Sequence, residues 1–207
     1  MNLTNIIAQR KDKTIYRDGN KAIKIFDENY KTSAVLNEAL NDALIEETAL
    51  NVPKLREVSK IEGKWAIIND FIEGKTLAEL MDEYPQKEDE YLELFVDLQI
   101  EIQNKSCPGL TKIQDKMKRK ISESNLDATT RYELHTRLNG MKRHKKICHG
   151  DFNPSNIIIN ERDKAYIIDW AHASQGNPEA DAAKTYISLF HDYGNDAAEK
   201  YLSQFCS

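Results

Sequence analysis

The sequence predicts an α+β fold in which a small N-terminal antiparallel sheet with one helix precedes a mostly helical C-terminal part. Three observations predict it. Short runs rich in β-branched and aromatic residues, punctuated by Gly and Asn, fill residues 3–71. Beyond residue 76, apolar residues recur at helical spacing over long segments. Between Cys148 and Trp170, two further short apolar runs are joined by Asn160-Glu161-Arg162-Asp163 and read as a β-hairpin set among helices.

The first strands are expected at Leu3 to Ala8, Thr14 to Arg17 and Lys21 to Phe26, with Asp18-Gly19-Asn20 as the tight turn because Gly and Asn tolerate positive φ. Residues 31–49 predict a helix whose apolar stripe is Ala34, Val35, Leu36, Ala39, Leu40, Ala43 and Leu44, with Glu38 beside it. Asn51-Val52-Pro53 ends that helix, and strands follow at Leu55 to Ile61 and Trp65 to Phe71, joined at Glu62-Gly63. Gly74 marks a break, so a domain boundary is placed near residue 73: 1–73 against 74–207. Thr76-Leu77-Ala78-Glu79 has the spacing of a capping box and opens a helix that Pro85 closes. A helix over 88–104 places Tyr91, Leu94, Phe95, Leu98 and Ile102 on one face, and two helices divided near Ser124 to Asp127 fill 112–146. After the hairpin, Glu179 to Phe190 and Asp196 to Phe205 predict closing helices.

Charge and composition exclude several classes of function. With 29 basic against 34 acidic residues and net charge −5, the chain is not a general nucleic-acid binder, which is usually strongly basic. Residues 112–146 run against this balance, with eleven Lys or Arg and four Asp or Glu, and read first as a solvated helical surface. Cys107, Cys148 and Cys206 match neither a disulfide framework nor a zinc pattern, and no run approaches membrane-spanning length, so a cytoplasmic protein is expected. Nothing in the sequence specifies an oligomeric state.

The hairpin carries the chemistry. A β-hairpin returns the chain on itself, bringing Asp169, just past its second strand, beside Asn156, at the start of its first. An amide and a carboxylate oxygen facing one point suit Mg²⁺, which takes few protein ligands and completes its shell with water and phosphate. Asp151, on the entering loop, is placed to accept a proton. His149 and Asp181 read as braces of that loop, Cys148 as a buried small side chain, and His172 as the histidine to test near substrate.

His149-Gly150-Asp151-Phe152-Asn153-Pro154-Ser155-Asn156, followed by Ile167-Ile168-Asp169-Trp170, resembles the paired signature of aminoglycoside phosphotransferases and choline kinases, which share the protein-kinase fold. Residues 22–26 resemble the strand carrying the kinase lysine, 35–39 the helix carrying its glutamate, and 66–77 the strand and hinge between lobes. The resemblance implies a bilobal fold and transfer of the ATP γ-phosphate to a hydroxyl. It makes Asp151 the base, and Asn156 and Asp169 the Mg²⁺ ligands. Lys24 becomes the phosphate-contacting lysine positioned by Glu38, with Glu46 as the competing partner, and the adenine is expected near the backbone of Asp70 and Ile72. Two departures stand out. Asn69 replaces the apolar residue expected before the hinge, which leaves GTP open beside ATP, and Gln9-Arg10-Lys11-Asp12-Lys13, where phosphate would be covered, has no glycine.

The acceptor expected first is an aminoglycoside or amino sugar, because Glu179, Asp181, Asp192 and Asp196 make the C-terminal part acidic. Choline, ethanolamine, or an anionic sugar or lipid-core saccharide met by the basic 112–146 stretch is the alternative. A reading of another class is a nucleotide-binding interaction module with vestigial catalysis.

Overall fold

The computed structural model describes residues 3–206. Five strands, β1 (Ile6–Gln9), β2 (Lys13–Asp18), β3 (Lys21–Phe26), β4 (Leu55–Ile61) and β5 (Lys64–Asp70), form an antiparallel sheet in the order β1-β2-β3-β5-β4. The β2–β3 turn is at Asp18-Gly19-Asn20, where Gly19 has φ +60°. One helix, α1 (Thr32–Glu46), packs on the sheet around Phe26, Val35, Ala39 and Ile67. Full burial of a side chain such as Phe26 contributes about 2–3 kcal/mol.

The inward face of α1 differs from the expected apolar stripe. Val35, Ala39 and Ile45 are buried, but so are Glu38, Asn41 and Asp42, whereas Leu36 and Leu40 are exposed. Burying polar groups is costly without partners, so a helix that turns three of them inward while leaving two leucines outside is organised around a polar task.

Packing gathers the chain into two compact units, one of residues through Tyr91 with Asn153–His172, the other of Leu92–Phe152 with the chain from Ala173. The hairpin β8 (Ile157–Ile159) and β9 (Ala165–Ile167) joins the first unit because a two-residue strand, β6 (Lys75–Thr76), pairs with β8, and Ile167 N–H donates to Asn51 O at 2.9 Å. Thr76 also caps α2 (Leu77–Glu83) through the expected capping box.

At the β6–β8 approach, a Cβ on Gly74 would lie 2.2 Å from the Ile159 carbonyl oxygen and 2.9 Å from an Ile158 methyl. Backbone cannot yield as a flexible side chain does. Gly74→Ala is therefore expected to destabilise the protein by about 2–4 kcal/mol, measured by denaturant unfolding.

The second unit is helical: α3 (Glu88–Gln103), whose first residues belong to the other unit, then α4 (Ile113–Ser122), α5 (Ala128–Gly140), α6 (Pro178–Tyr193) and α7 (Asn195–Phe205). The break between α4 and α5 falls at the expected place, because Asp127 accepts from Thr130 N–H at 2.9 Å as an N-cap. Two three-residue strands, β7 (Lys146–Cys148) and β10 (Ser174–Gly176), pair antiparallel here, and both are too short to announce themselves in sequence. No helix among the described residues is long and apolar enough to cross a membrane.

Candidate active site

In the first unit, β3 presents Lys24 opposite Ile67 of β5 and Ile15 of β2, facing α1. Its Nζ donates to Glu38 Oε1 at 2.5 Å and to Asp169 Oδ1 at 3.2 Å. Glu46, the competing partner, lies elsewhere and accepts from the Leu55 backbone N–H. Burial works against the Lys24 charge, but the Asp169 and Glu38 carboxylates outweigh it and raise its pKa, so the ammonium is retained. Lys13, from the glycine-free segment, reaches Asp169 Oδ2 at 3.5 Å.

The hairpin sets Asp169 beside Asn156 by a specific bond, Ile168 N–H to Asn156 O at 2.9 Å. Asn156 closes a 3-10 turn, Pro154–Asn156, capped by the Asn153 side chain. Asp169 has φ +64°, a left-handed conformation that non-glycine residues adopt at a cost and that concentrates at functional positions. The turn after it is held by α1, since Asn41 Nδ2 donates to Trp170 O at 3.0 Å.

These groups border a cavity of about 420 Å³, within the usual range for a small-molecule site. Ile15 and Ala22 line it from the sheet, Ile158 and Ile168 from the hairpin, Asp70 from the end of β5 and Ile72 from the segment that follows. That segment is fixed by Asp70 N–H to Lys54 O and Phe71 N–H to Asn20 O, while the Asp70 carboxylate turns to Arg56 at 2.7 Å. Asn69 also lines the cavity, and its Nδ2 donates to Asp42 Oδ2 at 3.1 Å; its Oδ1 is buried without a hydrogen-bond partner. The apolar residue expected at 69 is thus replaced by a buried polar pair.

Burial raises the Asp42 carboxyl to about 6, against the opposing influence of Lys24 and of the Asn69 hydrogen bond, with Glu38 and Asp169 adding to the rise. A carboxyl whose folded pKa exceeds its unfolded value holds its proton more tightly when folded, so its contribution to stability declines as pH rises from about 4 to about 6. Asp42→Asn removes this dependence. The variant is expected to gain about 2–3 kcal/mol relative to wild type between pH 4 and pH 7, measured by urea unfolding at both values.

In the second unit, β7 delivers the loop His149-Gly150-Asp151-Phe152. The His149 and Gly150 backbone N–H groups donate to Asp181 Oδ2 at 3.1 Å and Oδ1 at 2.7 Å, and Asp151 N–H donates to His149 Nδ1 at 3.2 Å. His149 and Asp181 are both buried, and both brace the loop. Phe152 stacks on Phe95, and its carbonyl accepts from Thr185. The Asp151 side chain is 38% exposed, and Lys184 of α6 donates to its Oδ1 at 3.5 Å and to the Gly150 carbonyl. Cys148 is buried, which pushes its thiol up to about 12, so it is unreactive at neutral pH. His172 ends a 3-10 turn, is exposed, and is absent from the cavity lining.

Asn156 and Asp169 both border the cavity, and their amide and carboxylate oxygens are hard donors that suit Mg²⁺. Among the described residues there is no cluster of three or more His, Cys, Asp or Glu that would suit a metal held by protein alone. Sequence reasoning did not single out Asn41, Asp42 or Lys184. Asn41 and Asp42 follow Glu38 by three and four positions, the spacing of one helical face, and that signal was available. Lys184 carried none.

An antiparallel sheet with one helix, a hairpin bearing Asn and Asp, and a helical remainder make up the protein-kinase-like fold. Solved structures of that fold align over nearly the whole chain. A thermostable mutant of aminoglycoside phosphotransferase APH(4)-Ia matches with TM-score 0.69 and 14% identity, covering 97% of this chain and 76% of its own. Aminoglycoside phosphotransferase APH(3'')-Id from Streptomyces rimosus matches with TM-score 0.64 and 15% identity, covering 96% and 84%. Choline kinase LicA from Streptococcus pneumoniae matches with TM-score 0.61 and 18% identity, covering 99% and 76%. The phosphotransferase enzyme family, APH, matches residues 24–206, and the chain belongs to that family. No curated protein sequence matches it.

Proposed function

We propose that this protein transfers the γ-phosphoryl group of ATP to a hydroxyl of a small molecule. The reading is carried by the convergence of Lys24 and Lys13 on Asp169, with Asn156 fixed beside it, on a cavity of nucleotide size. In this reading residues 1–73 serve as the nucleotide-binding lobe, and 74–207 carry the catalytic loop and the acceptor site. The adenine lies against Ala22, Ile158 and Ile168, with its polar edge on the backbone near Asp70 and Ile72. Lys24, steadied by Glu38, meets the inner phosphates. Arg10 and Lys13 supply as side chains the positive charge that glycine-rich loops supply as backbone amides.

Asn156 and Asp169 would hold Mg²⁺, which neutralises phosphate charge when bound. Asp151 orients the acceptor hydroxyl. As the hydroxyl oxygen bonds to the γ-phosphorus, the bond from that phosphorus to the bridging oxygen breaks, the hydroxyl proton passes to Asp151, and ADP departs. Structural neighbours with ADP or AMP-PNP in complex support nucleotide use, and a cytoplasmic supply of ATP fits the reading.

The acceptor is less constrained. Among neighbours, one complex contains streptomycin and another hygromycin B, which keeps an amino sugar in the test panel. Of the four acidic residues that suggested it, however, Asp181 is turned inward on the loop amides. Phosphate transfer from Mg–ATP and Mg–GTP to aminoglycosides, choline, ethanolamine and sugars tests the proposal. Acceptor-dependent ADP formation is expected. Nucleotide binding without turnover on any acceptor favours a vestigial binding module instead.

A further inference from the structure

Asp151 has one lysine at its carboxylate and a second cationic group on α4. Lys184 touches its carboxylate at 3.5 Å and also donates to the Gly150 carbonyl. Lys116, on α4, is half-buried with its Nζ donating to Ala173 O at 2.7 Å. Burial first, and then the nearby charges of Lys120, Arg119 and Lys184, bring the Lys116 pKa down to about 8. Lys120, Arg119 and Lys184 lie near enough to Lys116 to add positive charge around it, in a chain of net charge −5. The carboxylate best placed by sequence to offset it, Asp181, is buried on the His149 and Gly150 amides.

We propose that Lys184 and Lys116 form a subsite for an oxyanion, a phosphate or carboxylate, that the acceptor carries near the hydroxyl bound by Asp151. The proposal rests on the reading of Asp151 as the catalytic base. Lys184 is 49% exposed on a flexible stem, and its 3.5 Å contact with Asp151 is a resting contact that an arriving hydroxyl displaces. Once Asp151 is engaged by the hydroxyl, the ammonium is available to a second anion, and Lys116 adds charge from α4. A polycationic amino sugar meets repulsion here, whereas a sugar phosphate or sugar acid meets complementary charge. The cation that touches the loop is Lys184, outside the basic 112–146 stretch, and Lys116 is the member of that stretch assigned to the subsite.

Matched acceptors test this with the full chain in Mg–AMP-PNP: glucose, glucose 6-phosphate, gluconate and glucosamine, with glycerol and glycerol 3-phosphate as a second pair. Binding is read by calorimetry and by melting temperature. The anionic members are expected to bind at least about tenfold more tightly than their neutral parents, with glucosamine weakest. Lys116→Gln and Lys184→Gln should each reduce that preference about tenfold while leaving the melting shift from Mg–AMP-PNP unchanged. Equal binding within each pair, a preference that survives both substitutions, no binding by any anionic member, or tightest binding by glucosamine overturns the subsite. Absence of any shift with Mg–AMP-PNP is a different failure: it removes the kinase reading and this inference with it.

Discussion

Asp151→Ala is expected to lower phosphoryl transfer about 10²–10⁴-fold while leaving Mg–nucleotide affinity intact. The loop is expected to survive the substitution because Asp181 holds its amides and Phe152 packs on Phe95. Asp181 grips the His149 and Gly150 amides, and the Asp151 backbone N–H donates to His149. The contact with Lys184 is lost, and that contact is long and largely exposed. Removing an exposed ion pair costs about 0–1 kcal/mol, so stability should be nearly unchanged. Rapid-quench measurement of transfer beside nucleotide calorimetry separates the two quantities, and a parallel loss of both contradicts the assignment.

Asp169→Ala has the opposite signature and loses binding together with transfer. The carboxylate supplies the charged metal ligand, and in the free protein it accepts from both Lys24 and Lys13. Its loss should weaken Mg–nucleotide binding on the order of 10–100-fold and transfer by more. Asp169→Asn is the informative control. Asn tolerates the left-handed backbone at φ +64° and keeps one oxygen, so it should fold as well as wild type and bind with intermediate affinity. Normal Mg–ATP binding by Asp169→Ala removes the metal assignment.

Much of this architecture was legible because it is local. The β2–β3 turn follows from Asp18-Gly19-Asn20, the start of α2 from Thr76 and Glu79, and the α4–α5 break from Asp127. The hairpin was legible too, since two β-branched runs and a polar turn determine which ends meet, and Asn156 and Asp169 were placed together from that alone. Tertiary choices were not. Whether the inward face of α1 carries Leu36 and Leu40 or Glu38, Asn41 and Asp42 depends on what the sheet and the hairpin offer it, and hydrophobic periodicity has no access to that. Lys184 lies 33 positions from Asp151 and reaches it only through the packing of α6 on the loop. Lys116 reaches Ala173 across 57 positions. Contacts of that range leave no local pattern.

The central claim is that this chain moves a phosphoryl group from nucleotide to hydroxyl through Asp151. Phosphorus NMR of Mg–ATP with the acceptor panel, run for wild type and Asp151→Asn, tests it most directly. The account predicts a phosphomonoester signal that grows with ADP for at least one acceptor with wild type and is lost with Asp151→Asn. Formation of the phosphomonoester at the same rate by Asp151→Asn, or Mg–ATP bound by wild type without ADP or phosphomonoester from any acceptor, would contradict it.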